Sequence, residues 1–390
     1  MRERGIDTFG AVPLFLRMNV IRKKRGVKEI MKRQGYLAVS VMAFLLACGG
    51  VSTAQATDTQ AVQAQVQKEE YELPWMSLHM GTIISGKVFG SSEEEVLKLR
   101  QMVEDEIVRY EDMMSVHKET ALNEVNARSG EWVTVPQEVA EMTLEALEVA
   151  KDSNQAFEPT IGPVVNLWKI GFGGDSVPSD EAIQKAVRSV DYRKVEVREM
   201  SDGWQIRVAP GQNLDMGGIA KGYIGQKLAE LLRNQGAEHA LLDLGGNVVT
   251  LGGKSEDRPW RVGLQRPDQV RNTYFAVVNA KDVSVITSGA YERYFEKDGK
   301  RYGHILSAKT GRPVLTDIAS VSIVDANGAK ADAWCTALFA MGWSKAISYL
   351  SENDDISAVV LHADLKRVFI SEELQENMVL SDNSMILVKE

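Results

Sequence analysis

Three stretches carry residue types at spacings that can do chemistry. In residues 213–250, NLDMGGIAKGYIGQKLAELLRNQGAEHALLDLGGNVVT, Gly217 and Gly218 form a turn into an amphipathic helix, with Lys221 one turn in. Backbone N–H groups and the positive end of the helix dipole favour an anion at such a start, and small residues let a phosphate approach. Neither GxGxxG nor the Walker spacing is present, and a glycine turn before a helix is also ordinary punctuation, so both readings stand. In residues 330–336, KADAWCT, Asp332 and Thr336 are four apart and share a helix face. A carboxylate and a hydroxyl so placed suit a hard cation such as Mg²⁺, which completes its shell with substrate phosphate and water. The alternative is an acidic residue near a helix start and a Thr bonding back into its own helix. In residues 303–313, GHILSAKTGRP, His304 precedes a turn at Thr310 and Gly311. Its imidazole can serve as a general base, or be only a polar surface or core group. No His/Cys cluster has zinc-site spacing, and no GxSxG elbow occurs.

The elements that must position these residues mix both periods. Ser92 and Glu95 form a capping box before a helix whose Val96, Leu99, Val103, Ile107, Tyr110 and Met114 follow helical spacing and predict a core face. Pro136 opens a second helix to about Lys151, and Ser179 caps a short third. The central helix after Gly218 stops at Gly236, and another helix is predicted over 329–341. Strands are predicted over 83–89, 194–198, 204–208, 239–243, 260–265, 275–279, 284–287, 358–362 and 367–370, with a hairpin at 295–302 turning on Asp298-Gly299. Helices and strands alternate without a strict βαβ rhythm and without a repeat, so the fold class is α+β.

The chain of 390 residues, 44% apolar and 25% charged, has ordinary globular composition. Its beginning does not. Residues 1–30 are Arg- and Lys-rich and read as an over-extended start before Met31. Residues 31–56 have the layout of a secretory signal: a basic lead, an apolar run over 36–47 and small residues. Two cleavage readings compete, a lipobox ending at Cys48 and an A-x-A site at Ala54-Gln55-Ala56; either makes the protein exported and periplasmic, the first also lipid-anchored to a membrane. Residues 57–72 are Gln- and Ala-rich and read as a spacer, leaving 73–390 as the folded domain. Removal of residues 1–56 takes away 10 basic and 3 acidic groups, leaving 35 against 51, a net of −16 that argues against nucleic acid as a partner. Cys335 is then the only cysteine besides Cys48, so no internal disulfide staples the fold.

In order and content these blocks resemble the bacterial FAD:protein FMN transferases, the ApbE-like flavin transferases. The blocks are MGT at 80–82, MSVHKETALNEVN at 114–126, AFEPTIGPVVNLWKIG at 156–171, NLDMGGIAKGY at 213–223, LLDLGGNVVTLG at 241–252, ITSGAYERYFEKDGKRYGHI at 286–305, TGRP at 310–313 and ADAWCTALFAMG at 331–342. The resemblance implies one compact α+β unit of two interlocked lobes with FAD between them. It implies an exported, Mg²⁺-dependent enzyme that splits FAD as its substrate, moves the FMN half onto a Thr or Ser hydroxyl of a protein acceptor and releases AMP. Carried over position by position, the metal ligands fall on Asp332, Thr336 and the backbone carbonyl of Gly218, and the flavin contacts on Met80, His117, Ala156, Phe157, Glu158, Asp215, Lys221 and Leu306. His304 is then the candidate base for the acceptor hydroxyl.

The sequence departs from that pattern around the flavin. The family commonly has Tyr where His117 stands, Gly-Ala-Phe-Asp at Gln155 to Glu158, Asp at Gln226, and Asp-Pro at Ser307-Ala308. Two other outcomes fit the same residues: a Mg²⁺-dependent FAD pyrophosphatase with water as nucleophile, giving FMN and AMP, and a non-catalytic exported FAD-binding protein. Intact Asp332 and Thr336 favour chemistry, because a flavin store has little use for a metal beside the pyrophosphate.

Overall fold

The computed structural model describes residues 71–115, 119–270, 273–289 and 293–388. The signal-like segment, most of the spacer and His117 lie outside these residues. The described residues belong to one compact unit. Its helices are α1 (Glu93–Met114), α2 (Ala121–Ala127), α3 (Gln137–Asp152), α4 (Gly162–Trp168), α5 (Asp180–Val187), α6 (Ala220–Asn234), α7 (Gly328–Met341), α8 (Trp343–Glu352) and α9 (Glu372–Gln375). Its strands are β1 (Tyr71–His79), β2 (Thr82–Gly90), β3 (Val133–Val135), β4 (Glu196–Met200), β5 (Gly203–Arg207), β6 (Ala240–Leu244), β7 (Val248–Leu251), β8 (Trp260–Gln265) and β9 (Tyr274–Ala280). The remainder are β10 (Ser284–Gly289), β11 (Tyr294–Lys297), β12 (Lys300–Gly303), β13 (Ile318–Asp325), β14 (Ala358–His362), β15 (Arg367–Ile370), β16 (Met378–Leu380) and β17 (Ile386–Val388).

A nine-stranded sheet ordered β1-β2-β6-β7-β10-β13-β14-β15-β17 is the frame, antiparallel throughout except for the last pair. Along each strand successive side chains point to opposite faces, and at the central strands both faces are covered. In β14, Ala358 and Val360 enter the core under the helices, while Val359 and Leu361 enter a second core against the three-stranded sheet β16-β9-β8. Ile286 and Val285 of β10 divide in the same way. This double burial is why β14 reads as an unbroken apolar run.

The helical layer on the first face consists mainly of α1, α6 and α7. The α1 residues Val96, Leu99, Val103, Ile107, Tyr110 and Met114 are all buried, as the spacing predicts. Its Ser92 Oγ accepts from Glu95 N at 3.2 Å, but the Glu95 carboxylate turns to Ser91 N at 2.7 Å, so the cap shifts back one residue. Helix α7 is buried nearly all round, packed between α3, α6, β10 and β13. A third core under the β11–β12 hairpin gathers Val164, Trp168, Ile170, Ile183 and Leu306, and the stacked rings of Phe295 and Tyr302 pack against it. Among the described residues no helix is long and apolar enough to cross a membrane.

Candidate active site

The site grows from a close crossing of α6 and α7. A Cβ on Gly222 would stand 2.0 Å from the carbonyl oxygen of Gly328, and one on Gly328 would stand 2.4 Å from that of Gly222. Only glycine at both positions lets the two backbones approach so far. The crossing carries Asp332, 3% exposed, to the start of α6, where its Oδ2 accepts the Gly222 N–H at 2.9 Å. The Ile219 N-cap makes no side-chain bond of its own, so α7 supplies the cap that α6 lacks. Lys221 Nζ lies 3.9 Å from the same oxygen. The anion at this helix start is therefore a protein carboxylate, and the phosphate expected there from the glycine turn would have to share the position with Asp332.

One turn along α7, Thr336 Oγ1 is 3.4 Å from the Asp332 carbonyl, a long bond back into its own helix. Gly218 closes this side: a Cβ there would stand 3.2 Å from Thr336 Oγ1 and 3.2 Å from Phe157 Cε2. Phe157, 4% exposed, is held through its N–H on Ser153 Oγ at 3.1 Å, after two left-handed residues, Asn154 and Gln155. The Asp215 carboxylate accepts from Gly217 N at 2.8 Å, and its own N–H donates to the Pro159 carbonyl at 2.8 Å. Asn126 holds Leu214 by both backbone groups, at 2.7 and 2.9 Å. Gly218, Phe157, Asp332, Thr336 and Lys221 thus converge from three separate segments.

Glu158 does something different. Its carboxylate, 4% exposed, accepts from Thr160 N at 2.9 Å, Thr160 Oγ1 at 2.7 Å, Tyr192 N at 3.2 Å and Gln155 Nε2 at 3.4 Å. Burial pushes its pKa above the usual carboxylate range, against the opposing effect of those bonds. Both oxygens are occupied within the protein, so this side chain latches the Ala156–Phe157 loop from behind. Ala156 itself is partly buried against the main core.

Met80 and Gly81 form the β1–β2 turn, with φ of 50° and 66°. Glu111 accepts the Met80 N–H, and His79 lies between Glu104 at 2.9 Å and Glu111 at 3.5 Å. Leu306 is buried in the third core, and its loop closes through Ser307 N to the Arg312 carbonyl at 2.9 Å.

His304 donates its backbone N–H to the Arg293 carbonyl at 3.1 Å, and its Nδ1 reaches the same oxygen at 3.2 Å. A carbonyl only accepts, so the ring proton sits on Nδ1 and Nε2 carries the lone pair. Burial, reinforced by the nearby charges of Arg293 and Lys221, lowers its pKa from 6.5 to about 4. The imidazole is therefore neutral at neutral pH. It opens onto a cleft of about 430 Å³ lined also by Arg301, Val314, Leu315, Thr316 and Asp317.

Sequence reasoning did not single out Gly222, Gly328 or Arg293. The glycines were legible only as helix residues, because the spacing that matters lies between two helices. Arg293 is visible in the YERYF block, but nothing local ties it to a histidine 11 residues away.

A profile of the ApbE family matches residues 80–360, which is most of the chain. The chain belongs to the ApbE family. Relatives in this family include the FAD:protein FMN transferase of Klebsiella pneumoniae (strain 342), 35% identical over 72% of this chain and 86% of that protein. The FAD:protein FMN transferase of Treponema pallidum (strain Nichols) is 36% identical over 75% of this chain and 83% of its own length. Among solved structures, the ApbE protein of Thermotoga maritima MSB8 superposes with a TM-score of 0.70 at 29% identity, covering 79% of this chain and 99% of that one. The apo form of the Pseudomonas stutzeri flavinyl transferase ApbE gives 0.66 at 27% identity, covering 75% and 92%. By ApbE membership the chain is an enzyme, a flavin transferase, with the α+β fold of that family.

Proposed function

We propose that the protein transfers the FMN half of FAD onto a Thr or Ser hydroxyl of an exported protein acceptor and releases AMP. The observation that carries this reading is the convergence at Gly218: a buried carboxylate, a helical hydroxyl and a backbone pressed between Thr336 and an aromatic edge, beneath Lys221. The donor set is all oxygen, and among the described residues no group of three His, Cys, Asp or Glu side chains forms a metal cage. That chemistry fits Mg²⁺, a hard cation that takes few protein ligands. Asp332, Thr336 and the Gly218 carbonyl would hold it; once bound, it would offset pyrophosphate charge and orient the phosphates.

The chain's own groups supply the rest. Lys221 adds a positive charge at the phosphates, and the rigid glycine turn fixes its position. The neutral His304, with Nε2 free to accept, takes the proton of the attacking hydroxyl. A P–O bond forms from that oxygen to the FMN phosphorus, the pyrophosphate bridge breaks, and AMP departs with the bridging oxygen. Export, and lipid attachment at Cys48, belong to the same proposal and rest on the sequence of residues 31–56.

The test is to incubate the mature protein with FAD, Mg²⁺ and periplasmic extract of its source, then read flavin fluorescence on denatured protein bands while assaying AMP. Fluorescent bands with AMP are the expected result. AMP with no labelled band would replace transfer by hydrolysis, and retained FAD with neither product would leave a binding protein.

A further inference from the structure

Arg293 contributes only a backbone carbonyl to the site as described so far. Its side chain passes close over Gly171 and ends beside Gly81. A Cβ on Gly171 would stand 3.0 Å from Arg293 Cδ, and Gly171 is itself left-handed at φ 81°. A Cβ on Gly81 would stand 3.9 Å from Arg293 Nη2. The guanidinium carbon lies 5.4 Å from the centre of the Phe172 ring, within cation–π reach. Its end is thus delivered to the turn that contains Met80, between the β1–β2 hairpin and the loop after α4.

Among the described residues this cation has no counter-charge in contact. Arg109, Arg128, Arg207, Arg233, Arg312 and Arg367 each pair with a carboxylate, but among the described residues none lies within ion-pair reach of Arg293. A half-buried guanidinium with no carboxylate partner among the described residues, in a chain whose net charge is −9, is suited to an anionic ligand. Lys221, the other cation whose charge reaches His304, stands beside Asp332.

We infer that the Arg293 guanidinium is a binding group for the FAD pyrophosphate, gripping phosphate oxygens together with Lys221. The inference rests on the reading of FAD as substrate. Arg293 then links binding to chemistry, since its side chain holds the phosphate while its carbonyl fixes the tautomer of His304. Lysine would keep the charge and lose the planar fork, so it should restore binding only in part.

The experiment measures the FAD dissociation constant by flavin fluorescence, together with KM for the protein acceptor, on the full mature chain and its Arg293→Ala and Arg293→Lys variants. Arg293→Ala is expected to weaken FAD about tenfold to a hundredfold, the range for a lost charge-assisted bond. Arg293→Lys should recover part of that, with acceptor KM and thermal midpoint unchanged in both. Unchanged FAD affinity in Arg293→Ala, or a rise in acceptor KM alone, would overturn the inference while leaving the transferase reading intact. A wild type that binds no FAD would remove both. A loss shared equally by Ala and Lys and accompanied by a lower thermal midpoint would make Arg293 structural, which also overturns it.

Discussion

His304, half-buried, and Glu158, fully buried, are titratable groups whose environments assign them opposite tasks. His304 is depressed to about 4 chiefly by burial, so the folded protein binds its proton more weakly than the unfolded chain does. Its contribution to stability is therefore complete above the ordinary histidine value of about 6.5 and is lost as pH falls from there through about 4. As a base it stays competent over the same interval, so kcat/KM against pH is predicted to show no acid limb near 6.5 and to fall only around 4. A limb near 6.5 that disappears in His304→Gln would contradict the half-buried, neutral imidazole. Glu158 spends both oxygens on donors, and Glu158→Gln would turn an amide N–H₂ toward at least one of them. The expected cost is about 1–3 kcal/mol by urea unfolding, with FAD affinity changed far less. A variant of wild-type stability that fails to bind FAD would restore the carboxylate to the ligand side.

At the scale of elements, the α6–α7 crossing decides whether the site exists. Gly222→Ala places a methyl 2.0 Å from a backbone oxygen, which no rotamer can relieve. Separation of the helices should cost about 3 kcal/mol or more, the upper end of overpacking penalties, and should also draw Asp332 away from Gly222 N. Thermal unfolding together with the Mg²⁺ dependence of AMP release checks this, and a variant with wild-type values of both would contradict the account of the crossing. Elements with local punctuation were legible in the sequence: α1 between its Ser92 cap and Met114, α5 after Ser179, and the β11–β12 hairpin with Asp298 and Gly299 both at positive φ. Strand β13, the centre of the large sheet, was not. Its IASVSIVD carries Ser320 and Ser322 on positions that are 2% and 1% exposed, so polarity gives no clue to burial. Ser322 is satisfied there by Thr287 across the strands at 2.8 Å, a tertiary fact. The short α4 was also missed, because its Gly162-Pro163 start looks like a loop until Asn213 bonds Gly162 N at 3.1 Å. For the site, residue types were readable and directions were not: Asp332 and Thr336 stood out by spacing, while the inward turn of Glu158 depends on Thr160 and Tyr192.

For the whole molecule, one sheet whose central strands are buried on both faces carries the stability, and among the described residues no cross-link assists it. Cys335 is fully buried, its thiol donating to the Ile286 carbonyl at 3.2 Å. The thermal midpoint of the mature chain should therefore be the same with and without a reductant, and a reductant-sensitive midpoint would contradict the free Cys335 thiol. The same rigid frame brings β1–β2, the 154–160 loop, α6, α7 and the 304–313 loop into one unit and so supports transfer as the function. That claim is tested most directly with Asp332→Asn. The amide oxygen can still accept the Gly222 N–H, so the helix crossing is preserved while the charge proposed to hold the metal is removed. Covalent flavin on the acceptor and AMP release, measured against Mg²⁺ concentration, should both fall by about a hundredfold or more, with the thermal midpoint retained. Full Mg²⁺-dependent transfer by Asp332→Asn would contradict the account, because the chemistry would then lie somewhere other than the convergence at Gly218.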